Sequence, residues 1–339
     1  MKKVLFFAAA ALTMLAACNK TEVVYDNDPQ EIAMFAVNQS ATKAPVADAV
    51  YPTDYNMAVA SYIVGGDTGT AQKNDGNYFS KTIFKQTTTE NSKSIWTGKR
   101  YWPITPATLN FFAVSEPNAE NQDVVSTSFD PTNYASAAAV TLHDNQTAQH
   151  DLMYAVGRAS CSAGNYPTVP MVFRHALSWI NFKVATNDGG IGHITINSIT
   201  LNDAIYDAKL NLGNENYALT GTLESATATI TAEWDITGCI KSNNILQDAT
   251  NAALTKTSTA YSAPGVLVVP GDATSFTINY TIKHEEGVEN TYNYTYDISG
   301  TWLMAHKYTY VITLNLNEIK IAPSVTTWEV VADKAVTLG

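Results

Sequence analysis

The stretch FTINYTIKH, residues 276–284, alternates Phe276, Ile278, Tyr280 and Ile282 with Thr277, Asn279, Thr281 and Lys283. A period of two between apolar and polar side chains marks a strand with one buried and one wet face. NTYNYTYDI, 290–298, repeats the pattern with Tyr292, Tyr294, Tyr296 and Ile298. YTYVITLNLN, 308–317, puts Tyr308, Tyr310, Ile312, Leu314 and Leu316 on one face. Working outward, WINFKVAT turns Ile180, Phe182 and Val184 inward, and LNFFAVS turns Leu109, Phe111 and Ala113 inward. HITINSITLN holds Ile194 and Ile196 in phase and then slips to Ile199 and Leu201, which predicts a bulge near Ser198. One polar face per strand argues for antiparallel sheets, because parallel sheets bury both faces. Asn, Asp, Gly, Pro and Thr clusters between the runs supply turns. The chain reads as all-β.

Helical periodicity is scarce; YASAAAV, 134–140, is the best helix candidate. Residues 120–165 carry few strand signals and read as a long loop excursion. TNDGG, 186–190, follows a strong strand and precedes a fresh β-rich half. The sequence therefore divides into an N-terminal domain at 31–187 and a C-terminal domain at 188–339.

The N-terminus has a different character. Lys2 and Lys3 precede an apolar run from Val4 to Ala17. A helix of that length, at about 1.5 Å per residue, is too short for the roughly 30 Å hydrocarbon core. A basic start, a short apolar stretch and small residues at its end form a secretory signal, here 1–17. Leu15-Ala16-Ala17-Cys18 resembles a bacterial lipobox, which implies cleavage before Cys18 and acylation of its sulfur. Several acyl chains anchor a protein stably, at about 0.8 kcal/mol per buried CH₂. Residues 18–30 read as a tether between lipid and fold, with the acidic stretch DNDPQE, 26–31, at its junction with the fold.

The bulk numbers narrow the function. The 339 residues carry 20 basic and 31 acidic side chains, a net charge of −11. That is enough chain for two domains without disulfide staples. The negative charge argues against a nucleic-acid partner, since phosphate binding needs a basic surface. Cys161 and Cys239 are the cysteines besides Cys18. Spacing alone leaves open whether they form a disulfide.

Catalytic motifs are missing. There is no H-E-x-x-H, no G-x-S-x-G and no phosphate-binding G-x-x-x-x-G-K-[ST]. Ser40-Ala41-Thr42-Lys43 spells S-x-x-K without its companion motifs. His143-Asp144 and His150-Asp151 fall short of the three or four convergent ligands a metal needs. His175, beside Arg174, reads as a partly buried histidine capping the strand that follows. Trp302 and Trp328 flank the last long strand and are expected to close the second core. No enzyme activity, cofactor or metal is expected.

Four segments then read together: YWPITPATLNFFAVSEP (101–117), DLMYAVG (151–157), VFRHALSWINFKV (172–184) and TWLMAHKYTYVITLNLNEIKIAPSVTTWE (301–329). In order and spacing this series resembles the fimbrillin family of Bacteroidetes, lipoprotein-derived pilins and minor fimbrial subunits. The resemblance covers nearly the whole mature chain. It implies two tandem transthyretin-like antiparallel β-sandwiches, a place at the outer membrane and in a surface fimbrium, and other fimbrial subunits as partners. It also implies an assembly route: a surface protease cuts after the first strand, its removal opens a groove, and a strand from another subunit fills it.

The required parts can be named. EIAMFAV, 31–37, is apolar on both faces, with Ile32, Met34 and Ala36 alternating with Ala33, Phe35 and Val37. Ile32, Met34, Phe35 and Val37 mark it as the removable strand. Lys43 is the one basic residue between Lys20 and Lys73, and so the processing site. The family usually offers arginine there, so the protease must accept lysine. At the other end, 324–339 carries Val325, Trp328, Val330, Val331, Val336 and Leu338. This segment is either a donor strand for a neighbour or the last strand of its own domain. The alternative function is a non-polymerising surface lipoprotein or tip adhesin that binds a host ligand or glycan.

Overall fold

A computed structural model describes residues 29–38, 51, 55–64, 74–90, 93–117, 137–141, 149–186, 194–212, 233–246, 259–260, 265–272, 275–284, 286–315 and 318–327. Every regular element among them is a strand. Seven strands close into a barrel: β1 (Glu31–Asn38), β2 (Tyr55–Val64), β3 (Asn74–Glu90), β4 (Lys93–Tyr101), β5 (Ala107–Pro117), β7 (Met153–Cys161) and β8 (Val169–His175). Their spatial order is β1-β4-β3-β2-β5-β7-β8, and β8 returns to β1. Alternate residues fill the interior: Met57 and Val59, Leu109 and Phe111, Val169 and Met171. An open sandwich was expected here; the sheet closes instead, which removes its free edges.

The second unit is built from two facing sheets. One runs β11-β10-β15-β16, with β10 (Ile194–Asn211), β11 (Glu233–Leu246), β15 (Ser275–Lys283) and β16 (Glu289–Asp297). β6 (Ala137–Thr141) adds to the far half of β10. The other runs β12-β9-β18-β19, with β9 (Ser178–Ala185), β12 (Thr259–Ala260), β18 (His306–Asn315) and β19 (Glu318–Thr327). β13 (Val266–Val268) also pairs with β9, while β14 (Gly271–Asp272) and β17 (Thr301–Trp302) form a small ribbon. Phe182 of β9 and Tyr310 of β18 meet Phe276 of β15, with ring centroids 5.0 and 5.2 Å away. Rings from both sheets thus share one core. β18 alternates as its sequence requires, burying Tyr308, Tyr310, Ile312 and Leu314.

Several expectations change. The barrel-to-sandwich crossing falls at Ala176–Leu177, between β8 and β9, upstream of the 187/188 division drawn from TNDGG. β9 pairs with β18 because its apolar residues face the second core. Residues 120–165 are not one loop: they contain β6 and all of β7. The helix candidate at 134–140 gives way to β6, whose backbone pairs with β10 over Ala137–Thr141; tertiary pairing overrides alanine's helix preference. Two pairings are parallel, β1 with β8 and β9 with β18, where antiparallel sheets were expected. The bulge near Ser198 is present as a register shift between Ile196 and Ser198.

One barrel wall continues the sandwich core. Ala58, Ala60 and Tyr62 of β2 and Phe112 and Val114 of β5 point away from the barrel interior, in one buried cluster with Ile180 and Phe182. Leu152 and Tyr154 join them, while Met153 and Ala155 face into the barrel, so both faces of this segment are buried.

Candidate functional site

The candidate site is the seat of β1. Its hydrogen-bonding neighbours run in opposite senses. On one side β4 is antiparallel, with Met34 opposite Trp96 and Ala33 opposite Thr97. On the other β8 is parallel, with unbroken register from Met34–Val169 to Asn38–Phe173. Its first residues are tied down: the Trp102 amide donates to the Gln30 carbonyl at 2.9 Å, and the Lys99 amide donates to Glu31 Oε1 at 2.7 Å.

The two faces of β1 are unequal. Ile32 and Met34 are fully buried (0% exposed) in the barrel interior with Trp96, Val169, Met171 and Phe173. Each contributes on the order of 1.5–3 kcal/mol by leaving water. Ala33 and Phe35 lie on the outer side and are half-buried, and Lys93 Nζ sits 4.3 Å from the Phe35 ring. The strand is apolar on both faces in sequence, but its burial is one-sided. Val37 is paired with Val172 in the backbone ladder.

This geometry has a direct consequence. β4 and β8 are joined through β1 alone in the closed order. Without β1 the remaining strands form an open sheet, β4-β3-β2-β5-β7-β8. Its two edges would flank a trench floored by Trp96, Val169 and Met171. Each edge would present unpaired N–H and C=O groups, which an incoming strand can satisfy.

The other named residues distribute as follows. Cys18 and Lys43 lie outside the described residues, as do Trp328, Val330, Val331, Val336 and Leu338. Val325 lies on β19, opposite Tyr308 of β18, and is 53% exposed. The start of the 324–339 segment is thus the end of this chain's own last described strand. Trp302 is buried in the second core, as expected. His175 is half-buried at the end of β8, and its Nδ1 lies 2.6 Å from Asp151 Oδ2. It is partly buried, as expected, and this contact ties two barrel segments together. Cys161 is buried in the barrel and Cys239 lies on β11 of the sandwich; both are free thiols. Among the described residues no group of three or more His, Cys, Asp or Glu could hold a metal, and no helix could cross a membrane.

Sequence reading missed two features. The parallel β1–β8 pairing has no local signal, since it joins strands more than a hundred residues apart. The Tyr292, Tyr294 and Tyr296 face of β16, expected to be half-buried, is largely open: Tyr292 is 41% and Tyr294 38% exposed. Alternation gives the face but not whether the opposite sheet extends far enough to cover it.

Comparison with known proteins follows this geometry. No curated protein matches the chain. A solved fimbrial protein from Bacteroides vulgatus is 14% identical, with 87% of this chain and 99% of that one covered and a TM-score of 0.51. A solved protein from Bacteroides uniformis, described in connection with cell adhesion, is 18% identical, with 88% and 99% covered and a TM-score of 0.50. At these identities the likeness speaks for the fold. The family model described as fimbrillin-like matches residues 27–328, most of the chain. The chain belongs to the fimbrillin-like family.

Proposed function

We propose that this chain is a non-enzymatic structural subunit of a cell-surface fimbria, exported as a lipoprotein through Cys18 and assembled by β-strand exchange. The observation that carries the reading is β1: a short strand, first in the barrel's chain order, with a buried face, whose removal would open the barrel between β4 and β8. Cleavage after Lys43 would release β1 together with the lipid anchor. The opened unit and the sandwich would then correspond to the family's two transthyretin-like domains. The entering strand would come from residues 324–339 of another subunit, with the exchangeable part starting at Trp328, since residues up to Thr327 pair with β18. It would rest on backbone pairing plus buried side chains, so dissociation is slow.

Trypsin treatment of the purified precursor tests this. The expected result is an early cut after Lys43 followed by SDS-resistant ladders. Cleavage after Lys43 with no oligomers at any concentration, or ragged degradation of the barrel, overturns it.

A further inference from the structure

Backbone pairing and apolar burial hold β1 along most of its length, and many sequences could satisfy both. At its first residue the hold is different. Register against β4 runs from Ala33–Thr97 to Glu31–Tyr101, so Gly98, Lys99 and Arg100 all stand opposite Ile32. This bulge takes the Lys99 amide out of the ladder, and the amide donates to Glu31 Oε1 at 2.7 Å. A backbone donor at the end of the seat is thus satisfied by a side chain of the strand that occupies it.

The bulge is held in place by β3. Lys99 has a φ of +53°, in the left-handed region that residues with a Cβ enter at a cost. Such a conformation persists where its surroundings over-determine it. Ahead of Lys99, a Cβ on Gly98 would lie 2.7 Å from the ring of Phe84, which is fully buried, so the chain runs hard against that ring. Behind it, Arg100 Nε donates to Thr82 Oγ1 at 2.9 Å, and the guanidinium carbon lies 5.4 Å from the centre of the Phe79 ring. The Tyr78 hydroxyl donates to the Tyr101 carbonyl at 2.7 Å. Phe84, Thr82, Phe79 and Tyr78 all belong to β3, and these contacts do not use β1. Loss of β1 therefore leaves the Lys99 amide displayed at a fixed place without its acceptor.

We propose that position 31 is where the β1 seat discriminates among strands, through the Lys99 amide. The strand it favours enters in the direction of β1, parallel to β8, and brings the side-chain oxygen of a Glu or Gln to that position. Apolar side chains follow one and three places on, where Ile32 and Met34 are fully buried. The partner is thus a strand of the form Glu/Gln-apolar-x-apolar. A strand with an apolar or basic residue first still pairs through its backbone, but it leaves the Lys99 amide without a protein acceptor. Glu31 is exposed, so water partly replaces a missing acceptor and the discrimination is graded. This inference rests on the reading that strands exchange at the β1 seat.

Two measurements test it. In the uncut full chain, amide hydrogen exchange read residue by residue by NMR should be about tenfold faster at Lys99 in Glu31→Ala and about as slow as the parent in Glu31→Gln. The Trp96 and Thr97 amides should not change, because β3 holds the bulge. Unaltered Lys99 exchange in Glu31→Ala overturns the proposal, as does protection lost at all three amides together. In the chain cut after Lys43, with every residue still present, labelled peptides of residues 29–38 compete with β1 for its seat. The parent peptide and its Glu31→Gln form should be taken up alike, while the Glu31→Ala and Glu31→Lys forms should need roughly fivefold more for the same bound label. Equal uptake of all four overturns this inference and leaves strand exchange standing. Uptake of none overturns strand exchange at this seat, and this inference with it.

Discussion

Trp302 and Tyr310 share a hydrogen bond inside the sandwich: the indole Nε1–H donates to the tyrosine hydroxyl at 3.1 Å. Trp302 leads out of β17 and Tyr310 sits in the middle of β18, so the bond ties a surface ribbon to the core. Burial pushes the Tyr310 hydroxyl up to about 12; the Trp302 bond opposes this, and Tyr296 and Tyr308 add to it. The folded protein therefore holds this proton more tightly than the unfolded chain. Its contribution is fully present below the ordinary tyrosine value near 10 and is lost as pH rises toward 12.

Denaturant titrations from pH 9 to 12 should show stability falling across that window, by on the order of 1–3 kcal/mol from this group. Tyr310→Phe should cost about 1–2 kcal/mol at neutral pH, because the buried indole N–H loses its acceptor. The same variant should show a shallower alkaline loss. An unchanged alkaline slope in Tyr310→Phe would assign the loss to other tyrosines.

The one-sided burial of β1 is tested by neighbouring substitutions. Met34→Ala empties a fully buried position between Trp96 and Val169 and should cost about 2–5 kcal/mol. Phe35→Ala, one residue on, removes a half-buried ring under Lys93 and should cost less than half as much. Urea unfolding of the two variants decides the matter; equal losses would mean that β1 is buried on both sides.

Gly265 holds a position closed to other residues. Its φ is +101°, and a Cβ there would fall 2.1 Å from Trp179 Nε1 and 2.5 Å from Asn181 Oδ1. Gly265→Ala should cost about 2–4 kcal/mol from backbone strain and displaced neighbours together. Gly164 isolates the first effect: its φ is +73° with nothing within 4 Å of the added carbon. Gly164→Ala should cost only about 1–2 kcal/mol in the same assay.

The sequence was legible where structure is local. In β9 and β18 the alternation named the buried residues in advance, because a two-residue period maps directly onto the two sides of a pleat. Ile32 and Met34 could be picked as strand residues from a short run apolar on both faces, though that run did not say which face is buried. Their partner could not, since parallel pairing with Val169 depends on how intervening strands close the barrel. The 134–140 segment misled because three successive alanines favour a helix, while the far half of β10 offers an unpaired edge. The β16 tyrosines misled in the opposite sense. Their spacing is that of a buried face, and what the described residues lack is a strand to cover it.

Gln149 illustrates a side chain standing in for a strand. Its Nε2 donates to the Leu267 carbonyl at 2.9 Å, and its Oε1 accepts from the Leu267 amide at 2.7 Å. β13 thereby has a partner on the side away from β9, supplied from the segment that leads into the barrel. Gln149→Ala should cost about 1–3 kcal/mol, since the edge amide and carbonyl of a largely buried residue lose their partners. Gln149→Glu is the sharper experiment. An ionised carboxylate still accepts from the amide, but it places a second oxygen against the Leu267 carbonyl. Protonation restores a donor there, so the fold favours the neutral acid and raises its pKa above the unfolded value near 4.3. The variant's deficit against the parent should therefore be largest at neutral pH and shrink as pH falls through that raised pKa toward 4. A deficit that stays constant from pH 7 to pH 4 would mean that the Leu267 carbonyl is satisfied from elsewhere.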